Sequence, residues 1–169
     1  MFKRILVPTD GSPRAEHSAR AAIELARFLD AAIVALYVYP PFRIYPTEPF
    51  AAAPDLISEK AYVAAQKKAA KRYLAVIDKA AREAGVRCVS HAIEHERPAA
   101  AIVDTAASPD APCDLIFMGS HGRGVVSQFF LGSVTTKVQA MCDIPVLVYR
   151  DPAHRKLAKK NRVTKKTDI

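Results

Sequence analysis

Short apolar runs alternate with helical patterns along almost the whole chain, and this alternation constrains the fold more than any other feature. Five runs rich in valine, isoleucine and leucine, each bounded by proline, glycine or aspartate, predict β-strands. They are FKRILVP, AIVALYV, VRCVSHAI, CDLIFMG and PVLVYR. Because helical periods lie between these runs, we expect a mostly parallel sheet with right-handed crossovers and helices on both faces. The sequence therefore predicts an α/β protein.

Four helices are predicted between the strands. The first begins after Ser12 as N-cap, with Pro13 at its first position, and the second ends at Gly85. The third starts at Pro98, and the fourth begins near Gly132. Three- and four-residue spacing predicts the inward face of the second helix. That face contains Ile57, Ala61, Ala64, Ala65, Tyr73, Val76, Ile77, Ala80 and Ala84. The inward residues predicted for the last two helices are Ile102, Val103, Ala106, Val134, Val138 and Met141.

The strand pattern also predicts where a ligand binds. The first and fourth runs are the most continuously apolar, so we expect these two strands near the centre of the sheet. In such sheets a ligand lies outside the carboxyl ends of the strands, where the strand order reverses. The loops PTDGS and GSHGRG, which follow the first and fourth strands, would therefore flank one crevice.

The loop after the fourth strand has the spacing Gly119-x2-Gly122-x9-Gly132-Ser133. It is not a Walker loop, because Val125 stands after Gly124 where a lysine is required. A dinucleotide fingerprint is also excluded, since the first strand ends in TDGS. Glycine lets backbone N–H groups approach an anion and accepts positive φ, and a helix start adds a partial positive charge. This combination favours phosphate.

The glycine spacing, the first-strand segment ILVPTDGS and the closing segment DIPVLVYR resemble the universal stress protein (UspA-like) family, specifically its ATP-binding branch. The resemblance covers about residues 1–150. It implies an open five-stranded parallel sheet of order 3-2-1-4-5, Rossmann-like and of the adenine nucleotide alpha hydrolase type. It further implies ATP in the crevice and a homodimer formed through the last strand, residues 145–150. The sequence departs from the family at Glu96-Arg97-Pro98, where members often have Gly-x-Pro.

The resemblance also implies a role for individual residues. Pro8, Thr9 and Asp10 correspond to the adenine and ribose side, with Asp10 accepting from ribose hydroxyls, and Val38 corresponds to the backbone contact with adenine. The floor of the site and the phosphate cradle are drawn from one stretch of sequence. These residues are Met118, Gly119, His121, Gly122, Arg123, Gly132, Ser133, Val134 and Thr135. The implied ligand is ATP, ADP or AMP, with any Mg²⁺ carried on the phosphates.

Two of these residues have competing interpretations. Asp10 is also a favourable residue for capping the first helix. His121 has the chemistry of a general base, but no carboxylate lies near it in sequence to orient it. We therefore predict no catalytic residue. His91 and His95 fall on a strand and its following turn, where they would not share a face, so we predict no metal site.

The function that follows is an adenine-nucleotide-binding stress or signalling module whose output is a change of conformation or of protein partner. One alternative is a slow ATPase that uses the same pocket. Fast phosphoryl transfer needs several positioned cations, metal-binding carboxylates and a residue that orients the nucleophile, whereas only Arg123 and Asp10 are candidates here. The other alternative is association with nucleic acid through the C-terminal tail.

Charge and composition divide the chain at residue 150. The net charge is +8, of which the last nineteen residues, 151–169, contribute +5 and residues 1–150 only +3. This tail contains no aromatic residue, so it is predicted to be a basic, disordered extension of a single domain spanning residues 1–150. The apolar run at the N-terminus is too short for a signal peptide or a membrane span, which predicts a cytoplasmic protein.

One connection is unusually long. Residues 39–56 contain five prolines and four aromatic residues, and we expect this segment to be a lid, an interaction surface or a variable insertion. The three cysteines, Cys88, Cys113 and Cys142, are too far apart in sequence for a short-spaced zinc site and are predicted to be reduced and at least half-buried.

Overall fold

The computed structural model describes residues 2–43, 58–120 and 131–150 of the 169-residue chain. Within these ranges strands and helices alternate without exception. The elements are β1 Arg4–Thr9, α1 Pro13–Leu29, β2 Ala32–Tyr39, α2 Glu59–Glu83, β3 Cys88–Glu94, α3 Pro98–Ala106, β4 Leu115–Gly119, α4 Ser133–Met141 and β5 Val146–Tyr149. All the strand pairs are parallel, in the order β3-β2-β1-β4-β5. The predicted fold class, strand order and central position of β1 are confirmed.

Two hydrophobic layers cover the sheet because successive side chains of a strand point to opposite faces. Ile5 and Val7 of β1 lie in the layer under α1 and α2, whereas Leu6 lies in the layer with residues of α3 and α4. All three side chains are essentially inaccessible to solvent. Burial on both faces explains why β1 reads as a continuous apolar run instead of an alternating one.

The helix ends follow the local signals in the sequence. The Oγ of Ser12 accepts a hydrogen bond from the Ala15 N–H at 3.2 Å, and Pro13 occupies the first turn of α1. Gly85 follows the C-cap of α2 and has φ +70, a conformation that favours glycine. Both predicted signals are confirmed.

The predicted inward face of α2 is partly wrong. Ala61, Ala64 and Ala65 are exposed, and Ile57 lies outside the described residues. The buried stripe is formed by Ala70, Leu74, Ile77 and Ala81. The earlier turns of α2 reach only the carboxyl end of β2, where Gln66 bonds to Tyr37 and Tyr62 to the Pro40 carbonyl.

Smaller corrections apply to the last helix and the cysteines. Met141 was predicted to point inward but is 51% exposed, because α4 buries Thr135 and Val138 instead. The cysteine prediction is confirmed, since Cys113 is buried and Cys88 and Cys142 are half-buried, all as free thiols. Most of the proline-rich segment and the whole basic tail lie outside the described residues.

Candidate functional site

The crevice lies at the carboxyl ends of β1 and β4, the neighbouring strands at which the strand order reverses. From β1 the chain turns outward to β2 through α1, and from β4 it turns the other way to β5 through α4. The two connections therefore diverge and leave a groove between them, which is where open α/β sheets hold their ligands. This is the crevice that the sequence predicts.

The loop after β1 is fixed by its own side chains. The Thr9 Oγ1 accepts from the Gly11 N–H at 3.1 Å, and the Asp10 Oδ1 accepts from the Ser12 N–H at 3.0 Å. Ser12, not Asp10, is the N-cap of α1, which rules out the simple capping interpretation of Asp10. Asp10 is half-buried, and a carboxylate has acceptor capacity beyond one hydrogen bond.

Three residues predicted to line the crevice come from different elements but belong to one apolar region. Met118 of β4 is buried, and Val38 of β2 and Val134 of α4 pack against the same hydrophobic cluster as Met118. Three predicted site residues, up to 96 positions apart in sequence, thus border the same hydrophobic cluster. An adenine ring requires an apolar surface of this kind with a few polar groups at its edge.

Hydrogen bonds around Ser120 join the start of α4 to the ends of β4 and β5. The Gly132 N–H donates to the Ser120 carbonyl at 2.8 Å, and the Ser120 N–H donates to the Tyr149 carbonyl at 2.9 Å. The Thr135 hydroxyl donates to the Gly119 carbonyl at 3.1 Å. The two ends of the glycine loop are thus held side by side.

This bonding changes the role predicted for Thr135. It is 3% exposed, and its single O–H is already donated to Gly119, so in this arrangement the hydroxyl is not presented to a ligand as a donor. Ser133 is exposed at the first position of α4. His121, Gly122 and Arg123 lie outside the described residues.

The backbone of Gly132 also differs from expectation. Its φ is −60° and its ψ is 149°, an extended conformation that any residue adopts, so positive φ is not the reason for glycine at this position. Gly132 is nevertheless buried. Among the described glycines, positive φ occurs at Gly11 and Gly85.

The start of α4 is the helix terminus best suited to an anion. α1 and α2 have a serine side-chain cap and a glutamate in the first turn, whereas α4 has neither. α3 resembles α4 in this respect, but its first residue is Pro98, which has no N–H to donate. Within the part of the chain that the structure describes, no side chain caps the start of α4, and an uncapped helix start has the N–H donors and partial positive charge that suit phosphate.

A second hollow, of about 400 Å³, lies at the opposite side of the sheet, where α2 meets the edge strand β3. Its lining includes Asp78, Cys88 and Ser90, and the Ser90 hydroxyl donates to Asp78 at 2.6 Å. Burial, together with the neighbouring Asp78, raises the pKa of the Cys88 thiol to about 12. The thiol is therefore protonated at neutral pH and is not a nucleophile. Cys88 is the first residue of the edge strand β3, whereas the crevice lies at the carboxyl ends of β1 and β4, so this hollow is not a part of the candidate site.

Sequence reasoning missed one element of the site, the contact between Gly11 and Tyr73. The Asp-Gly-Ser turn after a strand is a signal for positive φ at the glycine, which is +74° in the structure. No local signal identifies Tyr73 as its neighbour, because the two residues are 62 positions apart.

No helix among the described residues is long and apolar enough to cross a membrane. Within the same ranges, no group of three or more His, Cys, Asp or Glu side chains is arranged to hold a metal ion.

The fold and the crevice define a class of open, doubly wound α/β protein with a ligand groove between its first and fourth strands. Comparison with known proteins makes the family definite. A profile of the universal stress protein family matches residues 1–150. A universal stress protein of Methanocaldococcus jannaschii, MJ0531, is 35% identical over 154 residues, which cover 90% of this chain and 84% of the relative. The chain therefore belongs to the universal stress protein family.

Solved structures agree with the fold. The protein MJ0577 has a TM-score of 0.72 and 28% identity, with 89% of this chain and 97% of that chain covered. A universal stress protein from Archaeoglobus fulgidus, solved in complex with dAMP, has a TM-score of 0.57 and 22% identity, with coverage of 89% and 98%. At that identity the second likeness shows a shared fold only.

Proposed function

We propose that this protein binds ATP or a related adenine nucleotide in the crevice between β1 and β4, and that the bound nucleotide controls its conformation or its partner. The observation that carries the proposal is the convergence of three features there. A carboxylate lies in the loop after β1, Val38 and Met118 border one hydrophobic cluster near the strand ends, and the start of α4 has no side-chain cap. The dAMP complex of the Archaeoglobus protein indicates that this fold accommodates an adenine nucleotide.

The residues divide between the two ends of the nucleotide. Pro8, Thr9 and Asp10 contact adenine and ribose, with Asp10 as the acceptor for ribose hydroxyls. Val38 contributes a backbone contact to adenine, and Met118 and Gly119 form the floor. The phosphates lie against residues of the glycine loop and the first turn of α4, namely His121, Gly122, Arg123, Gly132, Ser133, Val134 and Thr135. In this proposal Thr135 acts through its backbone N–H, since its hydroxyl is bonded to Gly119.

In this proposal the protein binds the nucleotide and hydrolyses it slowly, if at all. Among the described residues at the crevice, Asp10 supplies the one carboxylate, and Mg²⁺ would accompany the phosphates. One carboxylate does not supply the metal ligands and nucleophile-orienting groups that fast phosphoryl transfer requires. We further propose a cytoplasmic homodimer that pairs through residues 145–150, and a protein partner whose identity depends on the signal.

Titration calorimetry with ATP, ADP and AMP tests the proposal, together with mass analysis of nucleotide released from the denatured protein. We expect micromolar affinity for ATP and turnover well below the roughly 1–10³ s⁻¹ typical of enzymes. Asp10→Asn is the matched variant, because the amide oxygen keeps an acceptor for the Ser12 N–H while the negative charge is lost. This variant should weaken the binding of all three nucleotides by the same factor, since each contains ribose. Absence of heat with every nucleotide would refute binding, and sustained fast phosphate release would make the protein an enzyme.

A further inference from the structure

The ring of Tyr73, on α2, lies directly against Gly11 in the loop after β1. A Cβ built on Gly11 would be 2.3 Å from Cδ1 and 2.4 Å from Cε1 and Cγ of that ring. These distances are far below any van der Waals contact, so the ring occupies the space that a side chain at position 11 would need. The residue beside Asp10 must therefore be glycine for two reasons, the ring and the φ of +74°.

The same loop is held from the other side by hydrogen bonds. The Gly11 N–H bonds to Thr9 and the Ser12 N–H bonds to Asp10, so two consecutive backbone amides are tied to side chains of the loop. With the ring on one side and these hydrogen bonds on the other, the peptide units around Asp10 have little freedom to rotate. Because these peptide units cannot rotate freely, the Asp10 carboxylate is held in one position.

Tyr73 is itself held in place by neighbours on the sheet and on its own helix. The ring meets that of Tyr37, on β2, edge to face, with centroids 5.4 Å apart and planes at 61°. The Arg72 guanidinium lies 4.7 Å from the Tyr73 ring centroid, and its Nη2 donates to the Tyr73 hydroxyl at 2.9 Å. The Tyr37 hydroxyl in turn donates to Gln66 of α2 at 3.2 Å. The ring is thus part of an organised aromatic contact between α2 and the sheet.

We propose that Tyr73 is a positioning residue for nucleotide binding. Its ring keeps Gly11 at positive φ and so keeps Asp10 where it accepts from the ribose hydroxyls of an adenine nucleotide. This inference rests on the proposed function, to which it adds a residue on a helix outside the crevice. Through Tyr73, the position of α2 sets the affinity for the ribose end of the ligand.

Amide hydrogen exchange measured by NMR tests this without depending on nucleotide. In Tyr73→Ala the exchange of the Gly11 and Ser12 amides should rise about tenfold or more relative to core amides of β1 and β2. A purely structural role would raise the exchange of core amides by the same factor. Tyr73→Phe keeps the ring and should leave both loop amides within about twofold of the natural protein.

Two further variants serve as controls for Tyr73→Ala. Tyr62→Ala removes another aromatic ring from α2, one whose centroid lies 5.5 Å from that of Phe42. This variant should leave the exchange rates of the Gly11 and Ser12 amides unchanged. If Tyr73→Ala does not fold, Tyr73→Leu retains apolar volume without the flat ring and should show the same local loss of protection.

Nucleotide affinity completes the test. Tyr73→Ala should bind AMP about three- to tenfold more weakly, and Tyr73→Phe should bind it normally. The inference is overturned if the loop amides of Tyr73→Ala keep their protection, or if they lose it while AMP affinity is unchanged. If the natural protein binds no nucleotide, the proposed function fails by that result alone, and the amide exchange still decides whether Tyr73 holds the loop.

Discussion

Gly132 is the residue at which phosphate binding is most directly tested. It is buried, it precedes the first turn of α4, and its N–H is bonded to Ser120. Since its φ of −60° is open to any residue, a substitution there is not strained by the backbone and acts through the volume of the new side chain. A substitution at Gly132 therefore tests whether phosphate binds at the start of α4.

We predict that Gly132→Val remains folded by far-UV circular dichroism and loses ATP affinity by at least about tenfold, or roughly 1.4 kcal/mol. The branched side chain would occupy space required by the β- and γ-phosphates. AMP should be affected less, because adenine and ribose contact the other end of the crevice. Gly132→Ala, with one added carbon, should give a smaller loss of affinity for ATP. Equal losses of AMP and ATP would place the defect in the whole pocket, and unchanged binding of both would exclude phosphate from this position.

Among the elements, β5 is the edge strand on which the proposed dimer depends. It has four residues, pairs on one side with β4, and carries Leu147, which is 38% exposed. An edge strand with an accessible apolar side chain is suited to pairing with a second copy. The opposite edge is β3.

We predict that the natural protein sediments as a dimer and that Leu147→Lys shifts it to a monomer, because a lysine on an edge strand opposes strand pairing. Phe28→Lys is the matched control. Phe28 is 83% exposed on α1, so removing this larger and more exposed apolar group there should leave the dimer intact. A dimer that survives Leu147→Lys would move the interface away from β5.

The elements were largely predictable from the sequence, because strand and helix periods are local. The Ser12 and Pro13 signals locate the start of α1, and Gly85 locates the end of α2. The inward face of α2 was not predictable from alanines, since an alanine buries so little area that its spacing does not identify the buried side. The exact strand order followed from the family resemblance, not from periodicity.

The site was predictable to a more limited degree. The places of Asp10, Val38 and Met118 at or next to the carboxyl ends of strands could be predicted, and their contacts with a nucleotide stay a prediction. The hydroxyl partner of Thr135 and the conformation of Gly132 depend on how β4 and α4 approach each other, which is a tertiary property. Tyr73 was beyond sequence reasoning for the same reason.

Charge is distributed unevenly between the part of the chain that matches the family and the residues after it. The family match ends at residue 150, and the remaining residues contribute +5 of the net charge of +8. An extension of that composition is expected to bind polyanions by charge and not by shape.

We predict that a chain ending at Arg150 folds with an unchanged thermal midpoint and unchanged ATP affinity. Retention of the full-length protein on DNA-cellulose should fall steeply as salt rises, and the shortened chain should not be retained at all. Replacing the tail's lysines and arginines with glutamine provides a control of equal length. Failure of the shortened chain to fold would show that the tail contributes to the domain.

The backbone of Ser120 places the two proposed activities, nucleotide binding and dimerisation, within one hydrogen-bonded path. Its carbonyl accepts from Gly132 at the phosphate end of the crevice, and its N–H donates to Tyr149 at the end of β5. In the proposed dimer, a ligand that displaced Gly132 would therefore act on the strand that pairs with the second subunit. Thermodynamic linkage is reciprocal, so whatever factor nucleotide contributes to self-association, self-association contributes to nucleotide affinity. In such an arrangement the concentration of the protein itself becomes a variable in how it senses the nucleotide pool.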